Sequence, residues 1–590
     1  MSEAPEPAER SAISWRTLAP GVRRVLRFLG QPDERWEPLI ALAVLVGVLS
    51  GTAAVGLRRA VHWLFQALAE HRTGAAALLL PALGALLGAA IVGLLFREPP
   101  GHGVPQVIRA VCRRGGGMRR RGILSHWLGS LVTVSAGGSA GLEGPIVYSG
   151  AAIGSTIGSF FGLNERRRSV LLACGVAGGI SAIFNAPMTG MIFALEVVLV
   201  EWSALTIVPV IVCAVAATVL SRLLLGQAQS FLHAPFSMGV ADLGLCVALG
   251  LVAGLVSTAL SRLVDAVARA SRRLPRGRYL APLLCGLGVG AIGLGAPGAI
   301  GEGYDTAREL ISPTAASGGF LLLLGLSLAK LAATGLTLGS GAPGGFFAPC
   351  LVLGALVGAA FHRAAVEILP ADVGVGAGGS YALVGMAGIV AGVMQAPLTG
   401  ILLVMEVTGG YEVILPLMIV AVLSLLVARR ADRYGVYTKE LAAAGDLLRP
   451  GTDRRILAEI GLREALDTDA TPITEAMSLA DLVGVVKSSR RNHFPVVDPA
   501  TGDLVGLLDI STVRELLFTP DLARVTLVGT VMDADPPTVP LDSTLAEAVA
   551  ALEESGAWVL PVLDGRRFAG LLSKSTLFDH YRHELAVQAM

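Results

Sequence analysis

The 590-residue chain is 53% hydrophobic, contains 73 glycines and carries charge on only 15% of its residues. A composition this apolar over this length excludes a single ordinary soluble domain and favours a membrane protein. Because 46 Lys plus Arg balance 45 Asp plus Glu, leaving a formal net charge of +1, electrostatic attraction of the whole chain to nucleic acid is also excluded.

In chain order, the first 37 residues contain several arginines and no apolar run, which predicts a cytoplasmic arm and not a signal peptide. From residue 38 to about residue 440, long windows are almost free of charge: residues 373–405 carry none, and residues 315–361 carry only Lys330. These windows predict transmembrane helices. Gly and Pro interrupt many of them sooner than the roughly 20 residues of a full crossing, which indicates broken helices around a polar solute. A kinked, Gly-packed helix bundle is the alternative.

An internal repeat divides this membrane region into two halves. Residues 185–197 return as residues 395–407, an offset of 210 residues. Upstream of each copy lies a matching loop rich in Gly and Pro, one containing Glu143 and the other Phe346. Repeated halves are typical of transporters and related channels, whose solute site lies where equivalent broken segments meet. The Glu143 and Phe346 loops are therefore expected to converge.

Each of these two loops precedes an apolar helix. The first amides of such a helix have no intrahelical partner, and its N-terminus carries about half a positive charge. Several of these ends directed at one point make a site for a small anion without a buried Lys or Arg. A cation pathway would show rings of carboxylates, whereas only isolated acids occur here.

Glu143 stands directly before Gly144-Pro145, at the head of one of these helices. Its deprotonated carboxylate would compete with an anion for the same amides, whereas the protonated side chain would swing out and admit the anion. This pattern predicts a gate that links permeation to pH and to proton movement; a helix-capping Glu is the alternative. Glu196 and Glu406 stand at equivalent repeat positions, which favours a structural role for both.

Four motifs occur in order along the membrane region: Gly101-His102-Gly103-Val104-Pro105, Gly141-Leu142-Glu143-Gly144-Pro145, Gly345-Phe346-Phe347-Ala348-Pro349, and Tyr437 within Tyr-Gly-Val-Tyr-Thr. Together they resemble the motifs of the CLC family of chloride channels and chloride/proton exchangers. The resemblance implies inverted repeats, a homodimer with one anion pathway in each subunit, and Glu143 as the external gate. It also implies a set of anion-binding residues: His102, Gly103, Gly141, Gly144, Gly345, Phe346, Phe347 and Tyr437.

Two residues depart from the family pattern. The middle residue of the first motif is commonly Ser in chloride-selective members and is His102 here, which leaves the preferred anion open; a surface-facing His is the alternative. Exchangers often carry an inner proton-transfer glutamate directly after the Glu196 position, where this chain has Val197. Val197 favours a passive channel. Lys330 either raises the potential of the pore or extends its amine to the membrane interface.

After about residue 440 the chain has the charge content of a soluble region, and a shorter repeat appears. Phe494-Pro-Val-Val-Asp followed by Val505-Gly-Leu-Leu-Asp recurs as Leu560-Pro-Val-Leu-Asp followed by Ala569-Gly-Leu-Leu-Ser. Each copy predicts helix, strand, turn, strand and helix. The pattern resembles a tandem pair of CBS motifs, a module that often senses adenine nucleotides.

The ribose-binding signature of such modules places an acid three residues after a Ser or Thr. Here Arg514 follows Ser511 and Thr576 follows Ser573, so the acid is missing twice. The pair is therefore expected to act in dimerisation, and adenine-nucleotide binding has no support from the sequence.

These observations predict an all-α polytopic membrane domain of inverted repeats with broken helices, followed by an α+β cytoplasmic CBS pair. The expected boundaries are residues 1–37 for the arm, 38–440 for the membrane domain, 441–464 for a linker, 465–523 for CBS motif 1 and 524–590 for CBS motif 2.

The predicted function is chloride permeation through a gated (voltage-gated) channel of the plasma membrane, with Glu143 as the gate and without a cofactor or metal. Chloride/proton exchange is the alternative, because Glu143 is retained. A CBS-regulated cation transporter is more remote, since few acids lie in the spans. An intramembrane enzyme is disfavoured, because the spans contain no HExxH and no paired aspartates.

Overall fold

The computed structural model describes residues 37–99, 101–226, 236, 238–312, 318–370, 374–447, 461–489 and 491–580. The predicted cytoplasmic arm lies outside this range except for its last residue, as do residues 448–460 of the predicted linker. The chain divides into two compact units, residues 1–447 and 448–590. Residues 441–447, at the start of the predicted linker, fall within the first unit.

The first unit is helical throughout its described part. Its helices are α1 (Glu37–Ala67), α2 (Gly74–Ala90), α3 (Val104–Arg113), α4 (Gly122–Ser135), α5 (Glu143–Phe160), α6 (Glu165–Phe184), α7 (Pro187–Phe193), α8 (Ala204–Leu225), α9 (Val240–Arg273), α10 (Gly277–Gly295), α11 (Tyr304–Ile311), α12 (Phe320–Gly339), α13 (Phe347–Ile368), α14 (Gly378–Met394), α15 (Pro397–Thr408), α16 (Ile414–Ala431) and α17 (Lys439–Ala443).

Nine helices of the described residues are long and apolar enough to cross a membrane, and the chain is a multi-pass membrane protein. The expected broken helices are also present. Helix α7 with the π turn that follows it (Pro187–Leu199), α14 and α15 are apolar but shorter than a full span. Polar backbone exposed by such breaks is tolerated in a membrane only where protein or a wet cavity surrounds it, so these helices mark the functional region.

Helix α2 shows how its sequence suits a bilayer. Leu79, Leu83 and Leu87 recur every four residues and are 47%, 48% and 53% exposed. An apolar stripe left exposed on one helix face is typical of lipid contact. Another face carries Gly84, where an added Cβ would lie 2.2 Å from the Cβ of Ala136. Small residues of this kind let membrane helices approach closely enough to gain van der Waals contact.

Two helix pairs pack in the same way at equivalent positions of the repeat. Helix α5 packs on α6, and α13 packs on α14. A Cβ added at Gly150 would lie 2.1 Å from the carbonyl oxygen of Gly175, and one added at Gly354 would lie 2.5 Å from that of Gly385. The repeat in the sequence is therefore also a repeat of backbone-to-backbone helix packing.

The second unit contains helices and short strands. They are α18 (Leu479–Ser488), β1 (His493–Val497), β2 (Leu504–Asp509), α19 (Ile510–Leu517), α20 (Pro520–Val525), β3 (Val539–Pro540), α21 (Leu545–Glu554), β4 (Val559–Asp564) and β5 (Arg567–Ser573). Strands β1 and β2 are antiparallel, β3 is parallel to β4, and β4 is antiparallel to β5. Separate apolar clusters form around Phe494 in the first half and Leu560 in the second. Residues 574–580 are helical after β5, so the predicted order of elements in each copy is confirmed.

The two halves of this second unit exchange backbone hydrogen bonds. Asp467, which precedes the first half, pairs with Leu571 on β5 through bonds of 2.9 and 3.0 Å. Asp533, which precedes the second half, pairs with Leu507 on β2 through two bonds of 2.9 Å. The reciprocity indicates two-fold pseudosymmetry, in which each half completes the backbone hydrogen bonding of the other.

Candidate functional site

The two loops that were expected to converge are hydrogen-bonded to each other. The Gly141 amide donates to the Gly345 carbonyl at 2.9 Å, and the Gly345 amide donates to the Gly141 carbonyl at 2.7 Å. This bridge brings Glu143 at the start of α5 beside Phe346 at the N-terminus of α13. The predicted convergence of the two repeat halves is confirmed.

Three helices begin here with amides that lie outside the helical hydrogen-bond ladder. The first ladder bonds of α3, α5 and α13 are donated by Val107, Ile146 and Cys350. Amides before these positions are free of the ladder and open to a ligand. Each helix also has a proline in its first turn, where a missing N–H removes no ladder bond. The three prolines are Pro105, Pro145 and Pro349.

The loop of the first motif joins the other two at Gly144. A Cβ added to Gly144 would lie 2.7 Å from the carbonyl oxygen of His102 and 3.2 Å from the Cα of Gly345. Glycine is required where three backbone segments approach so closely. Gly103 in the same loop has φ of +83°, a left-handed conformation that glycine adopts without strain.

Glu143 is fully buried between these loops. The Tyr304 hydroxyl donates to its Oε1 at 3.1 Å, and the Ala348 amide, which precedes the first ladder bond of α13, acts on the same carboxylate. Glycine backbone lies against Oε2. A Cβ added at Gly141 would lie 1.9 Å from this oxygen, and one added at Gly345 would lie 2.8 Å from it. The carboxylate therefore occupies the place where helix N-termini would hold an anion.

Three rings form a triangle beside this carboxylate. The His102 ring centroid lies 5.1 Å from that of Phe346 and 5.3 Å from that of Tyr437, and the latter two are 6.0 Å apart. His102 Nδ1 and the Tyr437 hydroxyl are buried without a hydrogen-bond partner among the described residues. Buried polar atoms are rarely left unsatisfied, so both atoms are candidates for contact with a bound anion. His102 thus lies within the site and not on the surface.

Phe347 differs from the other aromatic residues of the site. Its ring packs 5.2 Å from Phe193 and 5.8 Å from Phe184, measured between centroids. Its backbone amide precedes the first helical hydrogen bond of α13, which Cys350 donates. Any contribution of Phe347 to anion binding therefore comes from its backbone, with the ring as packing.

The segment that carries Tyr437 is anchored by an ion-pair cluster. The Lys439 ammonium contacts the carboxylates of both Asp265 on α9 and Asp432 at the end of α16. The Val436 amide also donates to the carbonyl of Val393 at 3.3 Å. These contacts fix the backbone on both sides of Tyr437.

A cavity of about 600 Å³ adjoins the Glu143 contact and is lined by Leu142 and Tyr304. Three arginines also line it: Arg58, Arg59 and Arg308. Two acids line it as well, Glu302 and Asp305, and Asp305 pairs with Arg308 at 2.9 Å, so the lining carries both signs of charge. Tyr304 was missed at the sequence level. The sequence feature that could have identified Tyr304 is the glycine-rich turn Gly301-Glu302-Gly303 directly before α11. It repeats the loop-and-helix pattern of the recognised motifs.

Lys330 supports this part of the site from behind. It is fully buried, and its ammonium donates to the carbonyls of Gly301 at 3.0 Å and Glu302 at 3.2 Å. The Glu302 carboxylate also interacts electrostatically with Lys330 and Arg58. Lys330 therefore points inward, toward the turn that positions Tyr304, and does not extend to the membrane interface.

Glu196 and Glu406 each cap a short helix of the opposite repeat half. Thr399 at the start of α15 donates to Glu196 from its amide at 2.8 Å and from its hydroxyl at 2.7 Å. Thr189 at the start of α7 donates to Glu406 in the same way, at 2.7 and 2.6 Å. The structural role expected from symmetry is confirmed, but the exchange between halves was missed. Val197, directly after Glu196, is buried and apolar.

In the second unit, the two serines of the incomplete ribose signature make local contacts. The Ser573 hydroxyl lies 2.8 Å from the hydroxyls of both Ser575 and Thr576. The Ser511 amide donates to Asp509 at 2.8 Å. This geometry adds no support for a bound nucleotide.

Fold and site together define a class: multi-pass helical membrane proteins in which broken helices from two repeats converge on a buried site. A family model described as "Voltage gated chloride channel" matches residues 84–429, more than half of the chain, and a CBS domain model matches residues 528–583. The chain belongs to the voltage-gated chloride channel family, the CLC proteins, and carries a C-terminal CBS domain. It is an anion-transport protein of that family.

Individual relatives agree with this assignment. The "H(+)/Cl(-) exchange transporter ClcA" of Klebsiella pneumoniae is 32% identical over 432 residues, which cover 69% of this chain and 89% of the relative. The fold is similar to that of a slow cyanobacterial Cl-/H+ antiporter, with a TM-score of 0.62 and 24% identity over 70% of this chain and 99% of the other. A eukaryotic CLC transporter aligns with 94% of this chain and 98% of its own, with a TM-score of 0.60 and 20% identity.

Proposed function

We propose that the protein is a chloride/proton antiporter in which Glu143 alternates between the anion site and a proton-carrying position. The observation that carries the proposal is the buried Glu143 carboxylate, which faces the Tyr304 hydroxyl and the Ala348 amide at the head of α13. A carboxylate in that place blocks an anion while it is charged, and it leaves the site once it has accepted a proton. One side-chain movement therefore serves both ions.

The cycle follows from the charges at the loops. The charged carboxylate is held by helix N-termini that carry partial positive charge, and protonation removes the charge that holds it. The neutral side chain then leaves, and chloride enters among the amides of α5 and α13, beside His102 and the Tyr437 hydroxyl. The displaced side chain then releases its proton to the outer solution, and the restored carboxylate returns to the site as chloride departs toward the cytoplasm. The anion and the proton thus use the same place in turn and move in opposite directions.

Exchange has more support than the channel interpretation that Val197 favoured. The Klebsiella relative, 32% identical, is named an exchange transporter, and the retained Glu143 supplies the group that exchange needs. Val197 remains the observation in favour of a gated channel, the second candidate function. It removes a carboxylate at one position, which excludes proton transfer only through that position.

We also propose a homodimer in the plasma membrane with the CBS pair in the cytoplasm. Arg-rich turns at residues 113–121, 272–278 and 429–433 support this orientation, because loops rich in Lys and Arg are retained on the cytoplasmic side. The CBS pair would contribute to dimer contacts, since its ribose-binding signature lacks both acids.

The deciding experiment records chloride and proton movement together from liposomes that contain the purified protein, with an imposed chloride gradient. We expect wild-type protein to drive protons uphill in fixed ratio to chloride. Glu143→Ala should lower proton movement at least tenfold and leave chloride flux in place, because the alanine neither blocks the anion nor carries a proton. The exposed acid Glu70 provides a matched control, and Glu70→Ala should behave as wild type.

Chloride flux without proton movement in the wild type would replace the antiporter by the channel. Absence of both fluxes from folded protein would contradict chloride as the transported anion. Repeating the assay with bromide, nitrate and fluoride would then identify the transported ion.

A further inference from the structure

A line of buried polar side chains runs from the Arg-rich turns to the anion site, apart from the groups discussed above. It consists of Glu98, Tyr148 and His126, which are 6%, 4% and 0% exposed. Titratable groups inside a membrane protein are expensive to bury and usually mark ion or proton pathways. The three residues come from the segment after α2, from α5 and from α4.

Glu98 forms the end of this line near the charged turns. Its Oε2 accepts a hydrogen bond from the Tyr148 hydroxyl at 3.1 Å, and its Oε1 is buried without a partner among the described residues. Arg278 donates to its backbone carbonyl at 2.6 Å. Three further arginines act on its carboxylate electrostatically: Arg114, Arg119 and Arg121. All four belong to turns that the distribution of positive charge assigns to the cytoplasmic side.

His126 forms the other end. Its ring centroid lies 4.1 Å from that of Tyr148, and its Nδ1 lies 3.1 Å from the Ser125 hydroxyl. Its Nε2 is buried without a partner in the described part of the chain. The His102 side chain also acts on the His126 ring electrostatically.

The line reaches the anion site through the backbone of the first motif. A Cβ added at Gly103 would lie 3.0 Å from Tyr148 Cβ and 3.2 Å from His126 Cδ2, so both side chains lie directly against this glycine. The preceding residue is His102, whose ring contacts Tyr437. His126 is therefore one residue removed from the triangle of rings at the site.

Unsatisfied atoms recur along this route. Glu98 Oε1, His126 Nε2 and His102 Nδ1 are all buried and lack hydrogen-bond partners among the described residues. Leaving such atoms unpaired costs stability at each position, and a structural cluster would satisfy them. Groups that bind and release a proton, or hold water that does so, need this spare capacity.

We propose that Glu98 and His126 carry the cytoplasmic half of the proton path, in place of the inner glutamate whose position is taken by Val197, with Tyr148 positioning Glu98. This inference rests on the proposed antiport activity and names a route for its proton. The route joins the Arg-rich side of the membrane domain to Glu143 through the loop of the first motif.

Each step is a proton transfer that leaves the groups unchanged. Glu98 takes a proton from the cytoplasmic solution and passes it to a water molecule, which delivers a proton to His126, so that the Glu98 carboxylate and the water are both restored. His126 accepts a proton at Nε2 and becomes an imidazolium, which then releases the proton toward the anion site, where the Glu143 carboxylate takes it up. The Glu143 carboxylate, while it occupies the site, stabilises the imidazolium electrostatically, so proton arrival is linked to the state in which chloride is absent.

The test uses the full-length protein in the liposome assay of chloride and proton movement. Glu98→Gln and His126→Gln should each lower the ratio of protons to chloride at least tenfold, with chloride flux reduced less than threefold. Tyr148→Phe, which removes only the hydroxyl, should lower the ratio by a smaller factor. Glu165→Gln is the matched control, since its carboxylate is 77% exposed at the start of α6, and it should keep the wild-type ratio.

The outcomes separate this inference from the antiport proposal. Uncoupled chloride flux in the wild type overturns antiport itself. Coupled wild type with unchanged Glu98→Gln and His126→Gln overturns the route alone. If Glu98→Gln stops both ions, the double variant with Glu143→Ala decides. Chloride flux equal to that of Glu143→Ala assigns Glu98 to the proton path, and loss of this flux assigns Glu98 to the fold and overturns the inference.

Discussion

Two of the buried side-chain atoms that lack a hydrogen-bond partner lie at the proposed anion site. His102 Nδ1 and the Tyr437 hydroxyl lie on rings whose centroids are 5.3 Å apart, and neither atom has a hydrogen-bond partner in the described part of the chain. A neutral core would satisfy such atoms or replace them. Their presence next to free helix amides indicates a site that is completed by its ligand.

The Tyr437 hydroxyl gives a direct test of this view. We expect Tyr437→Phe to weaken chloride binding about fivefold, because one hydrogen bond contributes a net free energy of about 1 kcal/mol. Isothermal titration of the purified protein with chloride measures the change. Tyr411→Phe is the matched control, since Tyr411 is 70% exposed, and it should leave the affinity unaltered. Equal affinity of Tyr437→Phe and wild type would place the anion away from this hydroxyl.

Sequence alone identified the residues of this site that belong to contiguous motifs, and missed those recruited from elsewhere. Glu143 and Phe346 stand in recognisable Gly-Pro loops. Tyr304 meets Glu143 across 161 residues, and Tyr148 meets Glu98 across 50 residues, without a local pattern that pairs them. Such contacts depend on how helices pack, which the periodicity of one segment does not encode.

At the scale of elements, the broken helices need partners for their first amides. A short helix that begins inside the membrane region exposes N–H groups where water is scarce, and each unsatisfied group is costly. Helices α7 and α15 solve this with a carboxylate from the opposite repeat. Each carboxylate accepts hydrogen bonds from the amide and the hydroxyl of one threonine, Thr189 for Glu406 and Thr399 for Glu196.

The two caps predict matched losses of stability. Glu196→Gln should lower the free energy of unfolding by about 1–2 kcal/mol, because hydrogen bonds to a charged acceptor are replaced by weaker ones. Glu406→Gln should cost a similar amount, because its contacts are equivalent. Thermal unfolding of the purified protein in detergent measures both effects as lowered midpoints.

The exposed acid Glu367 supplies the control for these caps, and Glu367→Gln should leave the midpoint unchanged. A loss confined to one of the two caps would contradict the equivalence of the repeat halves. An increased midpoint in either variant would show that burying the carboxylate costs more than its bonds return.

The presence of short helices could be predicted from the sequence, but not the π turn after one of them. Charge-free windows interrupted by Gly and Pro indicated short helices, and α14 and α15 are such helices. The π turn Ala194–Leu199 after α7 could not be predicted, because it depends on tertiary packing and leaves no distinct residue pattern. The exchanged caps were in principle readable, since both copies contain a Thr and a Glu at the same spacing.

For the whole molecule, the division of the chain separates the proposed anion site and proton route from the CBS region. Every residue assigned to the anion site or the proton route lies before Leu448, within the first unit. Ion pairs join the end of that unit to α3: Asp446 pairs with Arg109 at 2.6 Å and with Arg113 at 3.3 Å. The proposed anion site and the proposed proton route therefore both lie in the first unit.

This organisation predicts that a chain ending at Leu447 still exchanges ions. We expect at least half of the full-length chloride flux and an unaltered ratio of protons to chloride, measured in the same liposomes. If the CBS pair contributes dimer contacts, the shortened protein should also dissociate at lower concentration in detergent. Loss of both fluxes from folded, shortened protein would assign the second unit a direct part in transport.

The exchanged carboxylates also constrain the order in which the protein is made. The amide of Met188 finds its acceptor in Glu406, a residue 218 positions later. At synthesis rates of about 5–20 residues per second, the ribosome needs roughly 10–40 s to supply that acceptor. Throughout this interval the first repeat waits in the membrane with an unfinished helix end, and assistance from the insertion machinery or a chaperone is most valuable at that stage. Synthesis of the second repeat as far as Glu406, and not insertion of the first half, is then the step that completes this helix end.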